Sequence, residues 1–280
     1  MLSSFFSHPF LVLALFTGMA ASVTSGIIGS YVVVKRIVFI SGSIAHSVLG
    51  GMGLSIWLKR MYGIEWLTPL GGALLAALVS ALLIGWIHLK YRQREDTVIA
   101  AIWSTGMAIG VIFTALTPGY SVELMNFLFG NILWISSSDL KMLLCLDGIV
   151  LVVTLLFHQK FLALCFDEEQ AALQGISVPF YYLMLLSLVG LSVVILIQLV
   201  GAVLVITMLT IPPAIGGRFT HLLGRMMLIA VLLGSFFTFA GLLASYQLNW
   251  PPGATIALVS ALFYLISLIV PRRNRPLTTL

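Results

Sequence analysis

The sequence predicts an all-α protein, a polytopic bundle of about nine transmembrane helices. Three observations carry this reading. Of the 280 residues, 60% are hydrophobic and only 8% are charged, whereas a soluble domain carries roughly 25% charged residues. Mean hydropathy is +1.13, so water cannot solvate most of such a surface. The apolar residues also run in long charge-free stretches, and a helix needs about 20 such residues to cross a bilayer. Strands are excluded because an open sheet cannot satisfy its backbone in lipid, and the alternation of a barrel is absent. The length leaves room for eight or nine crossings with short loops and none for a separate soluble domain. Residues 1–280 are therefore expected to form one transmembrane domain in the lipid bilayer.

The stretches come in order. Residues 10–34 hold no charged side chain and end at Lys35-Arg36. No basic segment precedes them and they are too long for a cleaved signal peptide, so they read as the first crossing. Residues 37–58 are uncharged apart from His46 and end at Lys59-Arg60. Residues 67–89 are closed by Lys90, Arg92, Arg94, Glu95 and Asp96, and residues 97–116 end at Thr117-Pro118-Gly119. A less hydrophobic segment, 120–139, leads to a short fifth span, 140–157, which Asp147 interrupts. A polar loop is expected over 158–177. Residues 178–217 are uncharged and long enough for two tightly joined crossings. The alternative, one long broken helix, gives eight spans. Pro212-Pro213 is expected to kink or end that segment, because proline lacks the N–H donor and clashes with the preceding turn. Residues 226–271 split at Asn249-Trp250-Pro251-Pro252-Gly253 into the last two crossings. Gly106 and Gly110 form a GxxxG pair, and Gly26, Gly29, Gly50, Gly51 and Gly53 lie within the first two spans. Small residues let helix backbones approach closely in lipid; ordinary packing and helix mobility both fit these glycines.

Topology follows from the basic residues. With nine crossings and the N-terminus outside, one side holds Lys35, Arg36, Lys90, Arg92, Arg94, Lys160, Arg218, Arg225, Arg272, Arg273 and Arg275. The other holds only Lys59, Arg60 and Lys141. The excess marks the inner side and puts the C-terminus inside. The net charge of +5 is thus topological loop charge, and no nucleic-acid partner is implied. Cys145 and Cys165 lack CxxC or Cys/His spacing, so neither a disulfide framework nor a cysteine metal site is expected.

An enzyme reading has little to stand on. No Walker A pattern occurs, so the chain does not hydrolyse ATP through a P-loop, and no HExxH or GxSxG occurs. His46 lies near the middle of the second span. An ionisable residue at membrane depth is costly and faces a cavity or the bundle interior, and neutral imidazole is a frequent transition-metal ligand. Metal ligand and buried hydrogen-bonded histidine stand level. Asp147 is the one acidic residue well inside a span; hard oxygen ligand, proton carrier and interfacial residue all fit it. His88, His158, His8 and His221 read as interfacial. In the loop, Asp167-Glu168-Glu169-Gln170 resembles a capping box, Ala171 continues a short helix and Gly175 can end it. Pro179 opens the next span. That short helix reads either as a solvated connector or as a docking element for a cytoplasmic partner.

At this point the chain resembles a known family, the permeases of bacterial ATP-binding-cassette (ABC) importers for zinc, manganese and iron. The resemblance covers nearly its whole length. It rests on Gly29-Ser30-Tyr31 to Lys35-Arg36 followed by AHSVLGG at 45–51, on Glu95-Asp96-Thr97, and on LFGNIL at 128–133. It rests also on DEEQAALQGISVP at 167–179, VGAVLVITMLTIPPA at 200–214 and SYQLNWPPGATIAL at 245–258. Their order and spacing together are specific. The resemblance implies a non-catalytic permease of the bacterial inner membrane, paired with a second copy or a paralogue. Cytoplasmic ATPases carry the ATP, and an extracytoplasmic metal-binding protein delivers a divalent ion, with no cofactor held permanently.

Under this resemblance the coupling region is about 158–178, with Asp167, Glu168, Glu169, Gln170, Ala171 and Gly175 at its centre. His46 falls on the family's intramembrane metal-site histidine. The chain departs from the pattern at Gly42, where many relatives carry an aspartate four residues before that histidine. Losing a hard carboxylate tilts the expected cargo towards zinc over manganese. The competing reading is a secondary, ion-coupled metal carrier using Asp147 and His46.

Overall fold

The computed structural model describes residues 7–64, 66–91, 95–117 and 135–269, and among them there are ten helices and no strand. They are α1 Pro9–Val34, α2 Val38–Tyr62, α3 Pro69–Tyr91, α4 Glu95–Ala115 and α5 Ser137–Phe166. These are followed by α6 Glu168–Leu173, α7 Val178–Val200, α8 Ala202–Phe219, α9 Leu223–Leu248 and α10 Pro252–Ile269. Nine of the described helices, all but α6, are long and apolar enough to cross a membrane. LFGNIL at 128–133 and the basic residues Arg92, Arg94, Arg272, Arg273 and Arg275 lie outside the described residues.

The helices alternate between two ends of the bundle. At one end Lys35 follows α1, and its ammonium donates to the Leu164 carbonyl near the end of α5 at 2.8 Å. There too His88, near the end of α3, packs its ring on Tyr182 at the start of α7, 4.8 Å between centroids. At the opposite end His8, before α1, lies 6.1 Å from the ring of Tyr246 near the end of α9.

Two features differ from the sequence expectation, and one of its alternatives is decided. The fifth span is not short: α5 runs 30 residues to Phe166, so the loop begins at Asp167 rather than 158. Along these extra turns His158 bonds Tyr31 (2.8 Å) and the exposed Lys160 lies over the Tyr181 ring (5.4 Å). A capping box at Ser136 and Asp139 starts α5. The eight-span alternative falls at Gly201, whose φ of 85° and ψ of 156° divide residues 178–217 into α7 and α8. Only glycine adopts that backbone without strain. Finally, Pro212 and Pro213 do not end the segment; α8 continues through both to Phe219. Pro213 leaves the Leu209 carbonyl without its i+4 donor. That carbonyl lies against Gly29 of α1, where a Cβ would overlap it. A neighbouring helix thus closes over the defect, as helices in lipid allow.

Packing follows the small residues. In lipid, helices associate through close contact and hydrogen bonds rather than through escape from water. The α1 glycines 18, 26 and 29 meet Thr238, Val231 and Leu209 on α9 and α8. The GxxxG pair of α4 is used within the chain: Gly106 meets Ser47 and Gly110 meets Leu49, while Gly50 and Gly53 of α2 face the Gly106 and Gly110 carbonyls. Tyr31, Ile28, Ile40, Ile44, Phe161 and Tyr182 form the fully buried centre. Large apolar side chains face outward, as with Leu155 of α5 at 78% exposure and Val79 of α3 at 60%. Such a surface suits hydrocarbon.

Candidate functional site

His46 sits two turns into α2, roughly 12 Å from the start of that helix at a rise of 1.5 Å per residue. Every other residue from Ile40 to Gly50 is buried, whereas His46 is half-buried. Its ring stacks on Trp103 of α4, with centroids 4.4 Å apart and planes 13° apart. The indole N–H donates to Met107 Sδ at 3.1 Å. The seam is fastened one turn below by Ser43, whose hydroxyl donates to the Ile99 carbonyl at 3.0 Å. The His46 nitrogens make no hydrogen bond to any described residue.

Gly42 lies on the same face of α2, four residues earlier. A Cβ there would meet only the Trp103 ring, at 3.8 Å, an ordinary contact. The missing carboxylate is thus not dictated by space. Among the described residues no cluster of three or more His, Cys, Asp or Glu could hold a metal ion. His46 would need ligands from elsewhere.

Asp147 is 6% exposed in α5. It is bound to α1: the Thr24 backbone N–H donates to its Oδ1 at 3.2 Å, and the Thr24 hydroxyl donates to the same oxygen. His46 and Asp147 are engaged on different helices. Thr24 and Trp103 were not singled out by the sequence, since neither carries a motif and each matters only through a neighbour on another helix.

The second candidate is α6. Asp167 caps it, accepting from Glu169 N at 2.9 Å and Gln170 N at 3.1 Å. The expected reciprocal bond from Gln170 to the Asp167 N–H does not form, because that N–H already serves Ala163 O at the end of α5. Gly175, at φ 77°, ends the helix. Its N–H bonds to Ala172 O and the Ile176 N–H to Ala171 O, the two bonds of a Schellman turn. Ala171 is buried beneath the helix, while Leu173 on its outer side is 89% exposed. Glu169 and Gln170 are exposed as well.

Glu168 points the other way. Its Oε1 accepts from the Lys35 ammonium at 2.6 Å and lies 3.5 Å from His88 Nε2. The His88 contact, with Lys35 beside it, pulls the Glu168 carboxyl down to about 2 despite partial burial. Lys35 also lies 5.9 Å from the centre of the Tyr182 ring. The sequence placed Lys35 and His88 at span ends without indicating that they meet.

Comparison with known proteins agrees with this layout. The model of the ABC 3 transport family matches residues 7–271. A "probable metal transport system membrane protein" of Chlamydia pneumoniae is 47% identical over 97% of this chain and 93% of its own length. The "manganese transport system membrane protein MntC" of Listeria monocytogenes is 32% identical, covering 98% of this chain and 95% of that protein. Among solved structures, PsaBC from Streptococcus pneumoniae in complex with Fab aligns with a TM-score of 0.83 at 28% identity, covering 96% of both chains. The all-helical layout and the whole-length matches agree: this chain belongs to the ABC 3 transport family, a family of membrane permease subunits.

Proposed function

We propose that the chain is the membrane-spanning permease of an ABC importer for a divalent transition-metal ion. Two copies, or this chain and a paralogue, enclose the path. ATPase subunits dock at the end bearing Lys35 and α6, and an external binding protein delivers metal at the opposite end. The Lys35 end faces the cytoplasm in this reading, which places the N-terminus outside the inner membrane and the C-terminus inside. Transport proceeds by alternating access: ATP binding favours one arrangement of the helices and hydrolysis resets it. The hydrolysis belongs to the partner subunits.

The observation that carries the reading is α6. A six-residue helix, capped at both ends, presents the 89% exposed Leu173 beside Glu169 and Gln170 at the end of an apolar bundle. An exposed leucine so placed suits a protein surface rather than lipid. His46 is the proposed transit ligand. One chain offers it no cluster of further ligands among the described residues, so a second chain or the remaining residues complete the site. The carboxylate-free Gly42 favours zinc, while a relative named for manganese favours the harder ion.

The experiment is metal uptake into proteoliposomes holding the complete transporter, comparing zinc, manganese and ferrous iron, with wild type beside His46→Ala. Selective uptake lost in His46→Ala supports both permease and transit ligand. Selective uptake that survives keeps the permease and moves selectivity to the binding protein. No uptake of any metal overturns the proposal.

A further inference from the structure

Besides its peptide links, α6 packs on its chain neighbours α5 and α7. Glu168 extends that reach. Its carboxylate holds Lys35, at the end of α1, and faces His88, near the end of α3. Lys35 is only 14% exposed and donates at once to Glu168 and to Leu164 O. Both bonds to its ammonium are charge-assisted, the stronger class of hydrogen bond.

Lys35 also opens the tight turn joining α1 to α2. Arg36 there adopts φ 62°, unusual for a residue with a Cβ. The turn is closed by Arg36 N to Val33 O at 3.2 Å and Ile37 N to Val32 O at 3.0 Å. It is therefore short and internally bonded, so a pull on Lys35 reaches the base of α2 with little slack. His46 lies two turns further along that helix.

Resting on the permease reading above, we propose that the contact of Glu168 with Lys35 and His88 is a latch. Through it, a displacement of α6 by the docked ATPase moves α1, α3 and the base of α2. Glu168 and Lys35 are positioning residues of the transport cycle, facing into the membrane subunit. Glu169, Gln170 and Leu173 face the docked partner.

The test is a double-mutant cycle in the complete transporter in proteoliposomes, reading metal ions moved per ATP hydrolysed together with retention of the ATPase during purification. Glu168→Gln and Lys35→Met are each expected to keep the ATPase bound and to lower transport per ATP about tenfold, the scale of losing one charged hydrogen bond. The double variant is expected to be no worse than the poorer single, since both break one contact. Unchanged transport per ATP in either single overturns the latch, and so does a multiplicative loss of about a hundredfold in the double. Should Lys35→Met fail to accumulate in the membrane, His88→Gln takes its place in the cycle with the same expectations. A wild-type complex without ATP-dependent uptake would sink the permease reading itself. A competent wild type with fully coupled variants would sink only the latch.

Discussion

The α2–α4 seam offers a direct test of the packing that holds His46. A methyl group added at Gly106 would lie 2.5 Å from Ser47 Cα and 2.9 Å from Ser47 Cβ. Carbon atoms in good contact sit about 3.5–4.0 Å apart, so Gly106→Ala forces the helices apart by roughly 1 Å. The blocking atoms include backbone, which no rotamer change can relieve. Overpacking of this kind costs about 1–3 kcal/mol, and a 1 Å gap forfeits up to about half of each neighbouring dispersion contact. The wedge sits one turn from the His46–Trp103 stack. Gly148→Ala is the reference, because a Cβ there meets nothing within 4 Å while the gain in helix propensity is the same. Thermal unfolding of both variants in detergent should show Gly106→Ala less stable than Gly148→Ala by about 1–3 kcal/mol, with metal uptake reduced as well. Equal unfolding would refute the packing argument.

Four further outcomes follow from the same contacts. Thr24→Val removes the hydroxyl donor to buried Asp147 and should cost about 1–3 kcal/mol, read by thermal unfolding; Asp147→Asn placed on top of it should recover part of that loss. Glu168 has a folded pKa depressed from 4.5 to about 2, so its stabilisation is fully present above the unfolded value and is lost as pH falls from 4.5 towards 2. The stability difference between wild type and Glu168→Gln should therefore shrink across that window, as acid unfolding followed by circular dichroism would show. Gly42→Asp should fold, given the open space beside Trp103, and should raise manganese uptake relative to zinc by placing a carboxylate at i−4 from His46. Leu173→Lys should leave the permease folded but release the ATPase during purification, since it alters only an exposed side chain.

Most of the fold was legible because lipid imposes a simple rule, that charge must leave the hydrocarbon. Charge-free stretches therefore marked nine helices and placed the break at Asn249, whose φ of 54° caps α9. The rule failed where a polar side chain had a partner inside the bundle. His158 made α5 look short because its bond to Tyr31 comes from distant sequence. Pro212-Pro213 reads as a kink or a stop because the accommodation lies on α1, at Gly29. At the site, the caps of α6 were readable from Asp167 and Gly175, which act within a few residues. That Glu168 turns inward while Glu169 faces out was not, since the partners of Glu168, Lys35 and His88, lie far away in the chain. The GxxxG pair was visible, but its partner surface at Ser47 and Leu49 emerged only in three dimensions.

On the proposed function, this chain moves metal ions on the power of an ATPase docked at the α6 end. The measurement closest to it is metal uptake into proteoliposomes with and without the ATPase subunits, at fixed ATP and with an imposed proton gradient as the alternative drive. Uptake is expected only when the ATPase and hydrolysable ATP are present, with none from the gradient alone. Uptake by the chain alone, driven by the gradient, would contradict it and establish an ion-coupled carrier instead.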